Sequence, residues 1–222
     1  TGGTKRSVPT FNDIGGVLEE KLVEDLPTAP EDVRVLVISM DVSDSISDTD
    51  FASVIDSHIA VLSAVIGKRF GELAVGVDVF GGAAKTMFPL QLMEDQADLD
   101  SLTVLLTSLK TTPRSDLKGG AGIHTGDAVA LALESIKDSP WVDSMDLSIH
   151  LAVAGNPNGG ADANEAATHA EDAGVYVDCV SIGNTVTGCD FIDGSGGSKN
   201  AILAVEDLDA ILRDKLVEDL PT

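Results

Sequence analysis

Three near-continuous apolar runs limit the folds open to this chain of 222 residues. They are Val33–Met40, Leu147–Ala154 and Val175–Ile182, and each has the length of a strand. A strand with apolar side chains on both faces must be covered on both faces, which is typical of a parallel sheet packed between helices. Segments with apolar residues at helical spacing separate these runs along the chain. The alternation predicts an α/β fold.

The segments between the runs supply the predicted helices. In Asp48–Ile66 the apolar residues recur at helical spacing, Asp48 or Thr49 is expected to cap the start, and Gly67 is expected to end the helix. The same spacing predicts further helices at Leu99–Leu109, Thr125–Ile136, Asn164–Ala173 and Val205–Leu220.

Two more strands are predicted after the first helix. Leu73–Phe80 has the alternating pattern of a strand, with a leucine or valine at every second position, and Gly81-Gly82 turns the chain into a second strand at Ala84–Leu90. A short turn can join only antiparallel neighbours. The sequence therefore predicts a doubly wound, mostly parallel central sheet with one antiparallel edge strand and helices on both faces. Such sheets place their ligand sites at the carboxyl ends of the strands.

The two ends of the chain carry the same sequence. Lys21–Thr28 and Lys215–Thr222 are identical over eight residues, and weaker similarity in the same register extends towards the amino end of both segments. Thr1–Thr28 is therefore a copy of Ser195–Thr222. We predict that residues 1–28 are the C-terminal helix and linker of a preceding repeat, that residues 29–222 form one complete domain, and that this unit repeats in tandem.

Acidic residues dominate the charge of the chain. Asp and Glu number 37 against 14 Lys and Arg, which gives a formal net charge of -23. Nucleic acid is excluded as a ligand because its phosphates would be repelled. The surplus fits either simple solubility or cation-rich surroundings such as extracellular calcium or a mineral matrix. No apolar stretch has the length that a bilayer requires, so no membrane span is expected.

Cys179 and Cys189 are the two cysteines of the chain. A disulfide between them would fit a secreted domain, whereas two buried, reduced thiols fit the sequence equally well. The four histidines have no spacing with these cysteines that predicts a zinc site.

A polar motif follows the first apolar run directly. Asp41, Ser43 and Ser45 form the pattern Asp-x-Ser-x-Ser immediately before the first predicted helix. Alternating positions in a tight loop can turn one carboxylate and two hydroxyls towards one point. An all-oxygen set of ligands suits a hard divalent cation such as magnesium or calcium. The motif therefore indicates a metal site at the edge where the parallel strands end.

At this motif, and at Ala121–Leu133 and Ala154-Gly155, the chain resembles the von Willebrand factor A (VWA) family. The resemblance covers Glu31–Leu220 and implies a Rossmann-like fold with a metal-ion-dependent adhesion site (MIDAS), of which the Asp-x-Ser-x-Ser motif is the first segment. In the family, a threonine and an aspartate from two other loops complete the site, and a protein partner often supplies a further carboxylate. The implied function is reversible adhesion through a bridging metal.

The sequence departs from the family pattern at two ligands. Ile123 aligns with the threonine, with Thr125 two residues later, and Ala154 aligns with the aspartate. A missing carboxylate weakens the hold on a divalent ion. Two interpretations remain: a weak site that uses Thr125, Asn156 or Asp44 as substitutes, or a degenerate loop kept for its hydrogen bonds. The predicted ligands of Mg²⁺ or Ca²⁺ are Asp41, Ser43, Ser45 and Thr125.

These observations favour an extracellular binding module, secreted or on the cell surface, in an adhesive or matrix protein. Its expected partners are neighbouring VWA repeats and a protein or matrix ligand that offers an acidic side chain. The alternative is a structural acidic scaffold in a fibre, biofilm or mineralised matrix, with a vestigial metal site. An enzyme is not expected, because the chain has no Gly-x-Ser-x-Gly elbow and no histidine placed to serve Ser43 or Ser45.

Overall fold

The computed structural model describes residues 33–144, 146–183, 187–192, 197–202 and 207–213. The predictions for residues 1–28 lie outside the described residues. Six strands form one sheet in the order β3-β2-β1-β4-β5-β6. In chain order, β1 to β6 are Arg34–Asp41, Leu73–Phe80, Ala84–Leu92, Leu147–Val153, Tyr176–Ile182 and Ser198–Ile202. β3 pairs antiparallel with β2, and all other neighbours are parallel, which confirms the predicted fold class.

Helices cover both faces of the sheet. Leu36, Ile38 and Met40 of β1 pack in the core beneath α1, α2 and α6, whereas Val35 and Val37 pack in the core beneath α4 and α5. Side chains alternate between the faces of a strand, so a strand that is buried on both faces is apolar at most of its positions. In chain order, α1 to α6 are Asp48–Ile66, Gln96–Leu109, Arg114–Leu117, Thr125–Lys137, Ala163–Asp172 and Leu208–Arg213.

The ends of α1 differ in detail from the prediction. Its bounds are those predicted, but the N-cap is Ser47, whose hydroxyl accepts a hydrogen bond from the Asp50 amide at 3.1 Å. Asp48 and Thr49 are already helical. Gly67 ends the helix with a right-handed φ of -60°, and a Cβ there would lie 2.9 Å from the Ser63 carbonyl oxygen. Close approach, rather than a left-handed turn, therefore favours glycine at this position.

Two short elements are absent from the predicted set. β6 reads Ser-Lys-Asn-Ala-Ile, and its first three residues are polar, which an edge strand tolerates and which hides the apolar pattern of the inner strands. α3, at Arg114–Leu117, interrupts a segment whose glycines and charges are typical of a loop. α6 is the described part of the helix predicted at Val205–Leu220.

Cys179 and Cys189 form a disulfide, with Cα atoms 5.7 Å apart. The bond joins β5 to the 3-10 turn at Asp190–Ile192, which leads towards β6. Of the two states that the sequence left open, the structure therefore has the oxidised one.

In the described part of the chain, α1 is the one helix whose length and apolar composition would suffice to cross a membrane. This finding corrects the expectation that no segment is long and apolar enough. The apolar residues of α1 are explained by the core, since Phe51, Ile55 and Leu62 are buried beneath it against the sheet.

A buried polar chain crosses the same face of the sheet. Nδ1 of His150 in β4 lies 2.8 Å from Oδ2 of Asp178 in β5, and the Ser198 hydroxyl of β6 donates to Oδ1 of the same carboxylate. The ring of His58 in α1 lies 5.5 Å from the His150 ring, centroid to centroid. Burial, aided by the charge of His150, lowers the pKa of His58 to about 3. His58 is therefore neutral in the folded protein at ordinary pH.

Replacing His58 with leucine is expected to reduce the acid sensitivity of the fold. The unfolded chain binds a proton at His58 below its ordinary pKa of 6.5, whereas the folded chain does not until about pH 3. Stability is therefore lost as pH falls from 6.5 towards 3, by about 1.5 kcal/mol between pH 6.5 and 5. Urea unfolding at both pH values should show a smaller loss for His58→Leu than for the wild type.

The comparison between the two proteins isolates His58. Asp78, whose pKa burial raises to about 6, titrates in both and therefore cancels. Equal losses of unfolding free energy in wild type and variant would show that His58 accepts its proton without unfolding.

Candidate functional site

The Asp-x-Ser-x-Ser motif forms a tight loop at the carboxyl end of β1. Asp41 is the last residue of the strand, and its Oδ1 accepts a hydrogen bond from the Ser43 amide at 2.7 Å. Its Oδ2 accepts from the Ala154 amide at 3.0 Å, which ties the loop to the end of β4. The Ser43 hydroxyl accepts from the Ser45 amide at 3.3 Å. These bonds hold the loop in place without a metal.

Asp41 is a buried carboxylate. Burial raises its pKa, and the amide hydrogen bonds from Ser43 and Ala154 and the charge of Arg114 act in the opposite direction. The net direction is upward, so the charged form is less favourable than in water. A cation beside Asp41 would stabilise the carboxylate and reverse this penalty.

Three loops converge at this edge of the sheet. The first is the motif loop after β1, the second contains Ile123 and precedes α4, and the third follows β4 and contains Gly155 and Asn158. A Cβ on Gly155 would lie 2.9 Å from the Ser45 hydroxyl and 2.4 Å from Cδ1 of Ile123, so these three residues meet. The Asn158 side chain accepts from the Ile123 amide at 2.8 Å and joins the second and third loops. Residues from three separate loops therefore meet at the carboxyl edge of the sheet.

Thr125 lies two residues beyond Ile123, at the first position of α4. It is fully buried, and within the described part of the chain its hydroxyl has no hydrogen-bond partner. A buried hydroxyl without a partner carries a desolvation penalty. Thr125 therefore has an unpaired oxygen at the start of α4, two residues beyond Ile123, which contacts Gly155.

The two residues that depart from the family pattern, Ile123 and Ala154, place hydrocarbon side chains at this edge of the sheet. Ile123 is buried, and its Cδ1 lies against Gly155 beside the Ser45 hydroxyl. Ala154 contributes its backbone amide to Asp41 and no side-chain oxygen. Among the described residues, no three His, Cys, Asp or Glu side chains are grouped so as to hold a metal ion. The candidate oxygens are thus one carboxylate and several hydroxyls.

Two of the three substitutes considered for the missing ligands have other partners. Oδ1 of Asn156 accepts from the amide and the hydroxyl of Thr187 at 2.9 and 3.0 Å. Both carboxylate oxygens of Asp44 accept from the Lys118 ammonium, at 2.7 and 2.9 Å, and this bond lowers the pKa of Asp44. Asp44 does not cap α1, because Ser47 does. Thr125 alone of the three has an unpartnered oxygen among the described residues.

The structure adds two basic residues that the sequence analysis did not single out. α3 places Arg114 and, just after its end, Lys118 beside the motif loop. Nε of Arg114 lies 3.2 Å from Oδ1 of Asp48, and its guanidinium lies over the ring of Phe51. Their spacing of four residues puts both on one side of a helical turn. In a chain with 14 basic residues against 37 acidic ones, this spacing is the sequence feature that could have identified the pair.

The family follows from the sequence profile of the von Willebrand factor type A domain, which matches residues 35–211. The chain belongs to the VWA family. The matched span includes all three converging loops, of which the motif loop is one. Comparison with the sequences of characterised proteins gives no significant match.

Several solved structures share the VWA fold. Proximal thread matrix protein 1 of the mussel byssus, with a zinc-occupied MIDAS motif, has 18% identity, a TM-score of 0.66 and coverage of 85% of this chain. The pilus adhesin SpaC of Lactobacillus rhamnosus GG, in an open conformation, has 12% identity, a TM-score of 0.64 and coverage of 83%. This chain spans 48% of the mussel protein and 29% of the adhesin. Identities this low show a shared fold.

Replacing Thr125 with valine is expected to stabilise the metal-free protein. Valine has the shape of threonine without the unpartnered hydroxyl, so the unfolding free energy should rise by about 1 kcal/mol. Urea unfolding in the presence of a chelator measures the change. Thr125→Ser, which keeps the hydroxyl and loses a buried methyl group, is the matched control and should be destabilised by about 1 kcal/mol. A less stable valine variant would mean that the hydroxyl has a partner in solution.

Proposed function

We propose that this chain is an extracellular binding module of an adhesive or matrix protein and one unit of a tandem VWA series. In this proposal the module has no catalytic activity, and its ligand binds at the edge where Asp41, Ser45 and Gly155 meet. The observation that carries the proposal is the convergence of three loops beside the buried carboxylate of Asp41, with the unpartnered Thr125 hydroxyl two residues beyond Ile123 in one of them. Such a cluster at the carboxyl edge of an α/β sheet is suited to binding.

A weak divalent-metal site is part of the proposal. Asp41, Ser43, Ser45 and Thr125 are the residues that would hold Mg²⁺ or Ca²⁺. The metal would supply the positive charge that bridges this edge to an acidic side chain of the ligand. One carboxylate leaves most of the charge of a divalent ion unneutralised, which lowers its affinity and leaves the edge attractive to an anionic partner. The unpartnered Thr125 hydroxyl is the feature that best fits such an ion.

The relatives and the disulfide support the extracellular assignment. One structural neighbour is a thread matrix protein and another a pilus adhesin. The Cys179–Cys189 disulfide is typical of oxidising surroundings. In an array, repeated weak contacts gain strength through avidity, so each module needs little affinity of its own.

The absence of catalysis is supported by the positions of the histidines. His58 of α1 and His150 of β4 are buried in the core, and Nδ1 of His124 lies 3.0 Å from Oδ2 of Asp127. Among the described residues, no histidine forms a hydrogen bond with Ser43 or Ser45. A hydrolase would need such a pair to activate a serine.

The acidic scaffold remains the second candidate function. Ile123 and Ala154 favour it, because they put carbon where the family has ligand oxygens. In that case the hydrogen bonds of Asp41 only stabilise the loop. Cations are then attracted by the acidic surface as a whole, with its net charge of -23, and not by one site.

Calorimetric titration with Mg²⁺ and Ca²⁺ distinguishes the two candidates. A real site should bind with a Kd of roughly 10⁻⁴ to 10⁻³ M, the range of extracellular modules. Asp41→Asn and Thr125→Val should each weaken binding at least about tenfold, since each removes one of few ligand oxygens. Asp172→Asn, at the exposed end of α5, is the matched control for unspecific binding to the acidic surface. Equal binding by all four proteins would support the scaffold and contradict the metal site.

Removing the ammonium of Lys118 should strengthen metal binding. Lys118→Gln takes away a positive charge and frees the Asp44 carboxylate beside the motif loop, so the Kd for Ca²⁺ should fall several-fold. The double variant Lys118→Gln/Asp44→Asn should lose that gain. Unchanged affinity in both variants would place the metal away from Asp44.

A further inference from the structure

The last two described elements, β6 and α6, occupy a defined place on the domain. β6 extends the sheet as an edge strand parallel to β5. α6 packs against the α1 face, where Leu208 and Leu212 are fully buried and Ile211 is partly buried in the core. These three residues recur at helical spacing on one side of the helix. β6 and α6 together form the C-terminal unit of the domain, and these three side chains make its apolar contacts with the core.

Polar contacts fix the strand of the unit. The Ser198 hydroxyl donates to Asp178, the carboxylate that also contacts His150. The Lys199 ammonium lies 3.2 Å from Oδ1 of Asp190. The edge position of β6 is therefore specified by one hydroxyl and one ammonium, in addition to its backbone pairing with β5.

The N-terminal copy keeps the chemistry of every one of these positions. In the register of the identical octapeptides, the five contacting residues of the C-terminal unit align with a hydroxyl, an ammonium and three aliphatic side chains. The counterparts of Ser198, Lys199, Leu208, Ile211 and Leu212 are Thr4, Lys5, Ile14, Val17 and Leu18. The similarity between the two ends thus extends to the side chains that attach β6 and α6 to the domain.

The linker between the copy and β1 is long enough for the copy to occupy the position of β6 and α6. β1, β4, β5 and β6 are parallel, so all begin at one edge of the sheet. A helix that follows β6 and packs on the sheet returns towards that edge, which is where β1 starts. Residues 27–33 separate the copy from β1, and seven extended residues can span roughly 25 Å. The copy can therefore enter β1 directly from the position of α6.

We propose that residues 1–26 are an alternative occupant, in the same chain, of the surface that β6 and α6 cover. That surface consists of the edge of β5 to which β6 is hydrogen-bonded and the adjoining face of α1. Gly15 and Gly16 stand at the helical positions of Asp209 and Ala210, and glycine weakens a helix. The C-terminal unit, which has no glycine at these positions, therefore holds the place in the folded domain. The N-terminal copy takes it when the C-terminal unit detaches.

A cycle of substitutions in the full chain tests this competition. Leu208→Asp/Leu212→Asp weakens the C-terminal unit, and Ile14→Asp/Leu18→Asp weakens the copy. The second pair alone should leave the melting temperature unchanged, and the first pair alone should lower it while keeping a cooperative transition. All four changes together should abolish the transition, because neither occupant remains. Additive effects, or loss of folding with the first pair alone, would overturn the proposal.

Zero-length cross-linking identifies the occupant directly. A carbodiimide joins a lysine ammonium to a carboxylate at ion-pair distance, so the wild type should give a Lys199–Asp190 product in tryptic peptides. The Leu208→Asp/Leu212→Asp variant should instead give Lys5–Asp190 in its monomer fraction. Leu212→Ala, a milder change, should give both products. A Lys5–Asp190 product that is missing, or present only in dimers, would contradict occupancy within one chain.

Discussion

The four inner strands β1, β2, β4 and β5 are buried on both faces, and the remaining structure follows from the need to cover them. Two layers of helices are required, so the chain must cross from one face to the other between strands. Parallel strands result, and their carboxyl ends share one edge of the sheet. The loops after β1 and β4 therefore meet at that edge, where Asp41 accepts the Ala154 amide. The position of the candidate site is a product of core packing.

The chemistry at that edge is set by few polar atoms. Asp41 is buried and fixed by two amides, so its orientation does not depend on a ligand. Ile123 occupies the adjoining space with a methyl group, and Lys118 holds the nearby carboxylate of Asp44. The edge thus has a preformed geometry and a reduced negative charge. These properties suit a contact that forms and breaks easily better than tight retention of a cation.

Sequence patterns predicted the features that depend on many residues at once. The strand at Leu73–Phe80 and the helix at Asp48–Ile66 have their predicted bounds. Each is long enough for burial to impose a periodic pattern of apolar residues on the sequence. β6 and α3 escaped prediction because each is short and polar, and tertiary contacts determine it. The motif predicted the first loop of the site. The Lys118–Asp44 pair joins residues that are distant in the chain, so no local pattern reveals it.

The disulfide has a mechanical consequence for a domain that is placed under tension from its C-terminal side. Such tension acts first on α6, and then on β6, an edge strand that pairs with β5 alone in the described sheet. That strand can peel away. Cys189 then passes the force through Cys179 into the middle of β5, which is buried between two helical layers. The covalent bond therefore divides the domain into a detachable end and a mechanically protected body.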